Sequence, residues 1–283
     1  MFKRLTTSLD KLTELQQRIL IGVPGAALVI GAIYWNDWTY FLLFGGICFL
    51  TQREFYKLLS YGGYRTFDIL GLTTGMGLYA FAFLSQKTPD ITEWWFLFIL
   101  IPLFAYILQL YTPSRTPFPD LGLTFLGVLY VALPFGLLHL ITITDDKEYH
   151  FERVLAFMFF LWSTDTGGYF AGRKFGRTKL FPRISPKKTW EGLAGGLLLS
   201  MGIGYGVSFF SDSLSPLMWV SMAATVSVMG IYGDLVESQL KRSLRVKNSG
   251  RGLPGHGGFM DRFDGMLLAV LGVLLLLEIT EKF

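Results

Sequence analysis

The run from Leu121 to Ile143, LGLTFLGVLYVALPFGLLHLITI, is 23 residues long and holds no Asp, Glu, Lys or Arg. As a helix rising about 1.5 Å per residue, a run of that length reaches across a hydrocarbon core of about 30 Å. It reads as a membrane crossing. Outward from it, apolar runs recur along almost the whole chain between short polar breaks, giving nine candidate spans. They are Ile19 to Tyr34, Trp38 to Leu50, Phe67 to Leu84, Trp94 to Tyr111, Leu121 to Ile143, Val154 to Phe170, Leu193 to Phe210, Leu217 to Gly233 and Met266 to Ile279. The second is short, and the sixth contains Asp165. Between the first two lie only Trp35, Asn36 and Asp37, enough for a tight helical hairpin with Trp35 and Trp38 at headgroup level.

Composition agrees. Of 283 residues, 52% are hydrophobic and 16% charged, where soluble domains carry about 25% charged residues. The expected fold is an all-α polytopic membrane protein of about nine transmembrane helices, preceded by a short amphipathic helix over residues 1–18. Residues 19–152 form a first set of helices. Residues 153–283 form a second set with its polar loops, within one integral membrane unit. The polar N-terminal segment is followed by an apolar run without a small-residue cleavage site, so it is expected to stay as a cytoplasmic surface helix. Cys48 is the lone cysteine, which excludes an internal disulfide or a multi-cysteine zinc site. With three histidines, His139, His150 and His256, any metal is expected to be held by oxygen.

Charge is one-sided. With nine spans and a cytoplasmic N-terminus, 21 of the 25 Lys and Arg residues face the cytoplasm, as positive-inside sorting requires, and the C-terminus lies outside. The two richest segments follow the sixth and eighth spans and share that face. Basic residues there would also serve as topology determinants beside anionic lipid. Polar and acidic residues within the same two segments need a further explanation. No heptad, low-complexity tract or clear internal repeat is visible, which disfavours the inverted-repeat transporters.

The first rich segment reads STDTGGYFAGRKFGRTKLFPRISPKKTWEGLAGG. Asp165 stands just past an apolar run, where an unpaired carboxylate is costly. It is either functional or part of a helix end capped by the STDT cluster and stopped by Gly167 and Gly168. Ser185, Lys187, Lys188 and Thr189 stand immediately ahead of the seventh span, where helix N–H groups and the dipole favour a phosphate. Anchoring to lipid headgroups would also account for the two lysines. In the second segment Asp234, Glu237 and Lys241 share one helix face. The chain then reaches LPGHGGFMDRFDGM, where glycines that permit close backbone approach precede Asp261 and Asp264. Asp234, Asp261 and Asp264 suit a hard cation such as Mg2+ that also binds substrate phosphates.

S-x-x-K-R, K-x-S-G, L-P-G-H-G-G and D-R-F-D, in that order from Ser238 to Asp264, resemble the signature of the phosphatidate cytidylyltransferases (CDP-diacylglycerol synthases). The TDTGGYFAGRKFG and SPKKTWEG segments are similar to that family too, so the resemblance covers roughly the second half of the chain. One position departs: where the family usually has Lys-Asp, this chain has Lys247-Asn248, which keeps an oxygen acceptor and loses a charge.

The resemblance implies a membrane enzyme that joins CTP to phosphatidic acid, releasing pyrophosphate, among membrane lipids and with no nucleic-acid partner, and the short polar N-terminal segment without a targeting signal makes a bacterial cytoplasmic membrane the expected home. A homodimer stays open. The expected metal set is Asp234, Asp261 and Asp264, with Asp165 as a further ligand or an orienting group, and a monovalent cation such as K+ beside Mg2+ stays open. Lys241 joins Asp234, Asp261 and Asp264 as catalytic. Ser185, Lys187, Lys188 and Thr189 hold phosphates. Arg242, Lys247, Asn248 and Arg262 complete an anionic pocket, with His256 as donor or turn stabiliser and Gly257 and Gly258 offering backbone N–H groups to the nucleotide. Two alternatives remain at this stage: another lipid phosphotransferase or lipid kinase, and a transporter of an anionic solute. A CDP-alcohol phosphatidyltransferase is disfavoured because its acidic motif is absent.

Overall fold

The computed structural model describes residues 14–142, 148–250 and 257–281. Most of the N-terminal segment 1–18 and all of His256 therefore lie outside the described residues. The described residues are mostly helical, with one small hairpin and short connecting turns. In chain order the elements are α1 (Glu14–Trp35), α2 (Asp37–Tyr61), α3 (Asp68–Lys87), a 3-10 stretch (Pro89–Phe96) running into α4 (Leu97–Leu110), α5 (Pro117–Gly127), a π turn (Val128–Ala132), α6 (Leu133–Thr142), α7 (Phe151–Phe175), β1 (Lys179–Phe181), β2 (Ser185–Thr189), α8 (Trp190–Val207), α9 (Pro216–Ser243) and α10 (Met260–Glu281). The expected run from Leu121 is thus one rod as far as Thr142, α5 to α6, and Ile143 lies outside the described residues. Pro134 has no N–H to donate, and the Leu133 N–H bonds back to Val128 O across the π turn.

Five helical stretches among the described residues are long and apolar enough to cross a membrane: Asp68–Lys87, Asp90–Leu110, Pro117–Thr142, Pro216–Ser243 and Met260–Thr280. An all-α integral membrane architecture follows from them. The turn between the first two helices is as tight as expected. Asn36 Oδ1 accepts the Thr39 N–H at 2.8 Å, and Thr39 Oγ1 accepts the Asn36 N–H in return.

Several boundaries differ from the sequence reading. The second helix does not stop at Leu50 but continues to Tyr61. Its polar residues find partners inside the protein: Gln52 Nε2 donates to Tyr56 Oη at 3.0 Å and to Gly71 O at 2.8 Å, and Tyr56 Oη donates to Thr124 O at 2.7 Å. Gly167 and Gly168 do not end a helix either, since α7 passes through both to Phe175. These glycines serve packing. A Cβ on Gly167 would meet Gly195 O at 2.8 Å, and one on Gly196 would meet Thr164 O at 2.6 Å. Side-chain-poor faces let α7 and α8 touch backbone to backbone, as membrane helices commonly do.

The expectation of helix alone is corrected at β1 and β2, an antiparallel pair in which Lys179 faces Thr189 and Phe181 faces Ser185. It is fastened to α8 by Glu191, whose carboxylate accepts the N–H groups of Arg177 and Thr178, each at 3.1 Å. Glu191's own N–H, together with these donors, holds its carboxyl below the usual range. The last helix begins at Met260, ahead of the expected Met266, which places Asp261 and Asp264 in its first two turns. Between α7, α9 and α10 lies an apolar core that includes Phe157, Phe160, Trp219, Met222 and Val270.

Candidate active site

Helices α9 and α10 approach closely at Gly233, where a Cβ would sit 2.5 Å from Asp264 O. That approach brings the next residue of α9, Asp234, to the first turns of α10. Asp234, Glu237 and Asp264 each offer a carboxylate oxygen within 4.8 Å of the other two. Three carboxylates so close repel one another unless a cation sits among them. Glu237 is fully buried, with no hydrogen-bond partner for its Oε1 among the described residues. Its charge is met by the ammonium of Lys241 one turn on. A buried carboxylate with open lone pairs beside two others is an oxygen donor set that fits a hard divalent cation.

Lysines bracket this cluster. Lys188, on β2, places Nζ 2.5 Å from Asp234 Oδ2, and Ser238 donates to Asp234 Oδ1 at 3.1 Å. Lys241 also donates to Asp261 Oδ1 at 2.7 Å. Asp261 in turn accepts the Gly258 N–H at 2.9 Å and the Ser249 N–H at 3.3 Å through Oδ2. Asp264 Oδ1 accepts the Gly265 N–H at 2.7 Å.

Two cavities adjoin the cluster. One, of about 230 Å³, is lined by Asp165, Asp234, Asp261, Asp264, Arg262 and Trp162, among others. The other, of about 200 Å³, lies beneath the hairpin against Lys187, Lys188, Thr189, Tyr169, Leu193 and Ile231, among others. Thr164 and Asp165 line both, so Asp165 stands where the two spaces meet. The first is mainly polar in its wall, and the second is mainly apolar, with Leu180, Leu193 and Ile231 beside Lys187 and Lys188.

Most of the residues singled out in sequence do converge here. Asp165, Asp234, Asp261, Asp264, Arg262, Lys187, Lys188 and Thr189 line one or both cavities, and Lys241 is salt-bridged to Asp261 beside them. Thr189 caps α8 by accepting the Gly192 N–H at 3.1 Å, and Ser185 lies on the same strand. Gly257 adopts φ +87°, a left-handed conformation that suits glycine, and Gly258 supplies the N–H that Asp261 accepts. Arg242, Lys247 and Asn248 are exposed at and beyond the end of α9 and line neither cavity. His256 lies outside the described residues. The compact acidic trio differs from the expected metal set: Glu237 is in it, while Asp261 and Asp165 stand on the cavity wall beside it. The i, i+3 spacing of Asp234 and Glu237 was visible in sequence. What it could not reveal is that Glu237 points inward to Asp264 and not to water.

A carboxylate cluster with flanking lysines, carried by apolar helices, suits the class of enzyme that handles phosphate-bearing substrates. The chain belongs to the cytidylyltransferase family, whose model matches residues 16–280. It is 31% identical to the phosphatidate cytidylyltransferase of Bacillus subtilis over 268 residues, covering 92% of this chain and 96% of that one. It is 40% identical to the phosphatidate cytidylyltransferase of Staphylococcus haemolyticus over 179 residues, which is 61% of this chain and 66% of the relative. The enzyme of the same name from Staphylococcus epidermidis is 35% identical over 229 residues, 78% of this chain and 84% of that one.

Proposed function

We propose that the chain is a phosphatidate cytidylyltransferase whose chemistry takes place between the two cavities. The observation that carries this is the meeting of the Asp234, Glu237 and Asp264 carboxylates with Lys188 and Asp165 at the boundary between a polar space and a partly apolar one. A phosphate oxygen of phosphatidate attacks the α-phosphorus of CTP. The new O–P bond forms as the bond from that phosphorus to the oxygen bridging to the β-phosphate breaks, leaving CDP-diacylglycerol and pyrophosphate. The protein need supply no nucleophile; it must bring two anions together and hold the departing one.

In this reading the polar cavity takes the triphosphate and the hairpin cavity takes the lipid phosphate. Mg2+ held by Asp234, Glu237 and Asp264 would neutralise the triphosphate and polarise the α-phosphorus. Lys187 and Lys188, with Ser185 and Thr189 at the N-terminus of α8, draw in the lipid phosphate. Aliphatic side chains such as Leu193 and Ile231 give the glycerol and acyl ends an apolar surface. Asp165, at the junction, orients the two substrates. Lys241 and Asp261 hold the glycine-rich turn at Gly257 and Gly258 in place. Arg262 lies on the triphosphate side, and Arg242, Lys247, Asn248 and His256 extend that side outward.

The same reading assigns nine crossings to the helical rods, with residues 1–18, the site and the basic loops at the cytoplasmic side of a bacterial inner membrane. It covers residues 19–152 and 153–283 as a single unit and holds for a monomer or a homodimer. The test is pyrophosphate release by the detergent-solubilised protein with CTP, phosphatidate and Mg2+, each omitted in turn. Release requiring all three, with a CDP-lipid product, is expected. A nucleoside diphosphate product would instead mark a lipid kinase. Asn248→Asp, measured alongside, reports what the departure from the family's Lys-Asp costs.

A further inference from the structure

The first N–H of α10 cannot be satisfied within its own helix. Met260 donates it to Glu54 Oε2 at 3.1 Å. Glu54 comes from α2, two hundred residues earlier in a part of the chain whose sequence reads as little more than hydrophobic. Its carboxylate is wedged between two glycines. A Cβ on Gly250 would lie 2.7 Å from Oε1, and a Cβ on Gly258 would lie 2.4 Å from Oε2 and 3.0 Å from Gly250 N. Gly250 and Gly258 therefore meet across this one side chain. They are the two ends of the glycine-rich loop that leads into the DRFD helix.

We propose that Glu54 is a positioning residue for the nucleotide side of the active site, an inference that rests on the cytidylyltransferase reading. Asp261 and Glu54 both hold the neck of the loop. Asp261 accepts the N–H groups of Ser249 and Gly258, and Glu54 accepts the N–H of Met260 and packs against both glycines. A negative group at the start of α10 also suits the helix dipole. Through these groups Glu54 sets where Asp261 and Asp264 project and how the Gly258 N–H is presented at the start of α10. Glu54 lines neither cavity, so it acts through these groups and not on a substrate. Its requirement is geometric: an oxygen acceptor at the end of a three-bond side chain, flanked by residues without a Cβ.

The experiment compares Glu54→Gln, Glu54→Asp and Glu54→Ala with the unmodified protein, varying CTP and phosphatidate separately. The expected result is a rise of about tenfold or more in KM for CTP, or an equivalent loss of kcat/KM for CTP, in Glu54→Ala and Glu54→Asp, with KM for phosphatidate within about twofold. Glu54→Gln, which keeps reach and an acceptor, is expected to retain most of the activity. Gln better than Asp is the reverse of what charge alone would produce. Because it compares two conservative variants, one keeping the reach and one the charge, that order decides the matter even if Glu54→Ala is recovered poorly. Unchanged constants in Glu54→Asp, or equal loss toward both substrates in all three variants, would overturn the proposal. If the unmodified protein releases no pyrophosphate from CTP and phosphatidate, the underlying reading fails instead, and the two failures are told apart.

Discussion

Lys188 Nζ lies 2.5 Å from Asp234 Oδ2, joining the hairpin that follows α7 to the acidic face of α9. The two residues stand far apart in sequence and belong to different polar segments. Their contact turns two loops into one site. In the proposed function Lys188 would leave the Asp234 carboxylate for a phosphate once a cation satisfies that carboxylate.

Replacing Lys188 by Met removes both partners. The expected loss in kcat/KM for phosphatidate is about a hundredfold, the usual scale for deleting a charged donor to a reacting phosphate or oxyanion. Arg is not expected to restore it, since its broad planar fork does not match a point ammonium in a half-buried gap. Steady-state pyrophosphate release with each variant measures this, and activity near the unmodified level in Lys188→Met would remove the residue from the site.

Glu237→Gln keeps the shape of the side chain and removes one of three clustered charges. The Mg2+ concentration for half-maximal activity is expected to rise at least about tenfold. A second readout needs no turnover: protection of the purified protein against thermal unfolding by Mg2+ alone should shift to higher concentration by a similar factor. An unchanged Mg2+ dependence in both would take Glu237 out of the donor set.

Gly196→Leu tests the α7 to α8 crossing. With a Cβ there only 2.6 Å from Thr164 O, the helices must separate. A cost of about 1–3 kcal/mol is expected, seen as a lower unfolding midpoint in detergent. Activity should fall with it, because Thr164 and Asp165 ride on the displaced helix. Normal stability together with normal activity would contradict the backbone contact.

His139 offers a contrasting case. It is fully buried, its two ring nitrogens have no hydrogen-bond partner among the described residues, and it packs against the rings of Tyr40, Tyr79 and Phe83. An unpartnered buried polar group costs about 1–3 kcal/mol. His139→Phe should therefore leave the unfolding midpoint equal or higher, with activity within about twofold. A clear fall in the midpoint would reveal a partner for the imidazole.

Much of the site is legible in the chain because its chemistry is written in residue types that an apolar helix otherwise excludes. Asp165, Asp234 and the DRFD aspartates stand out against their surroundings, and the order of the polar blocks carries the family resemblance. Glu237 shows the limit. Its spacing from Asp234 is that of an ordinary solvated stripe, and only the nearness of α10 makes its burial meaningful. Glu54 shows it more sharply, since nothing within α2 distinguishes it from Arg53 or Lys57 as a charged residue toward a helix end.

Hydrophobic length and the absence of charge are local properties, so the membrane architecture, the tight turn at Asn36 and the polarity of the two long loops could be read directly. Helix ends were less legible. Gln52 prolongs α2 because Gly71 and Tyr56 are there to meet it, and Gly167 continues α7 because Gly195 and Gly196 leave room. Those partners lie on other helices, and a residue's neighbours across a packed interface leave no imprint at short range. For the same physical reason the acidic trio, the Lys188 to Asp234 pair and the reach of Glu54 to the start of α10 came into being only when helices distant in the chain were packed together.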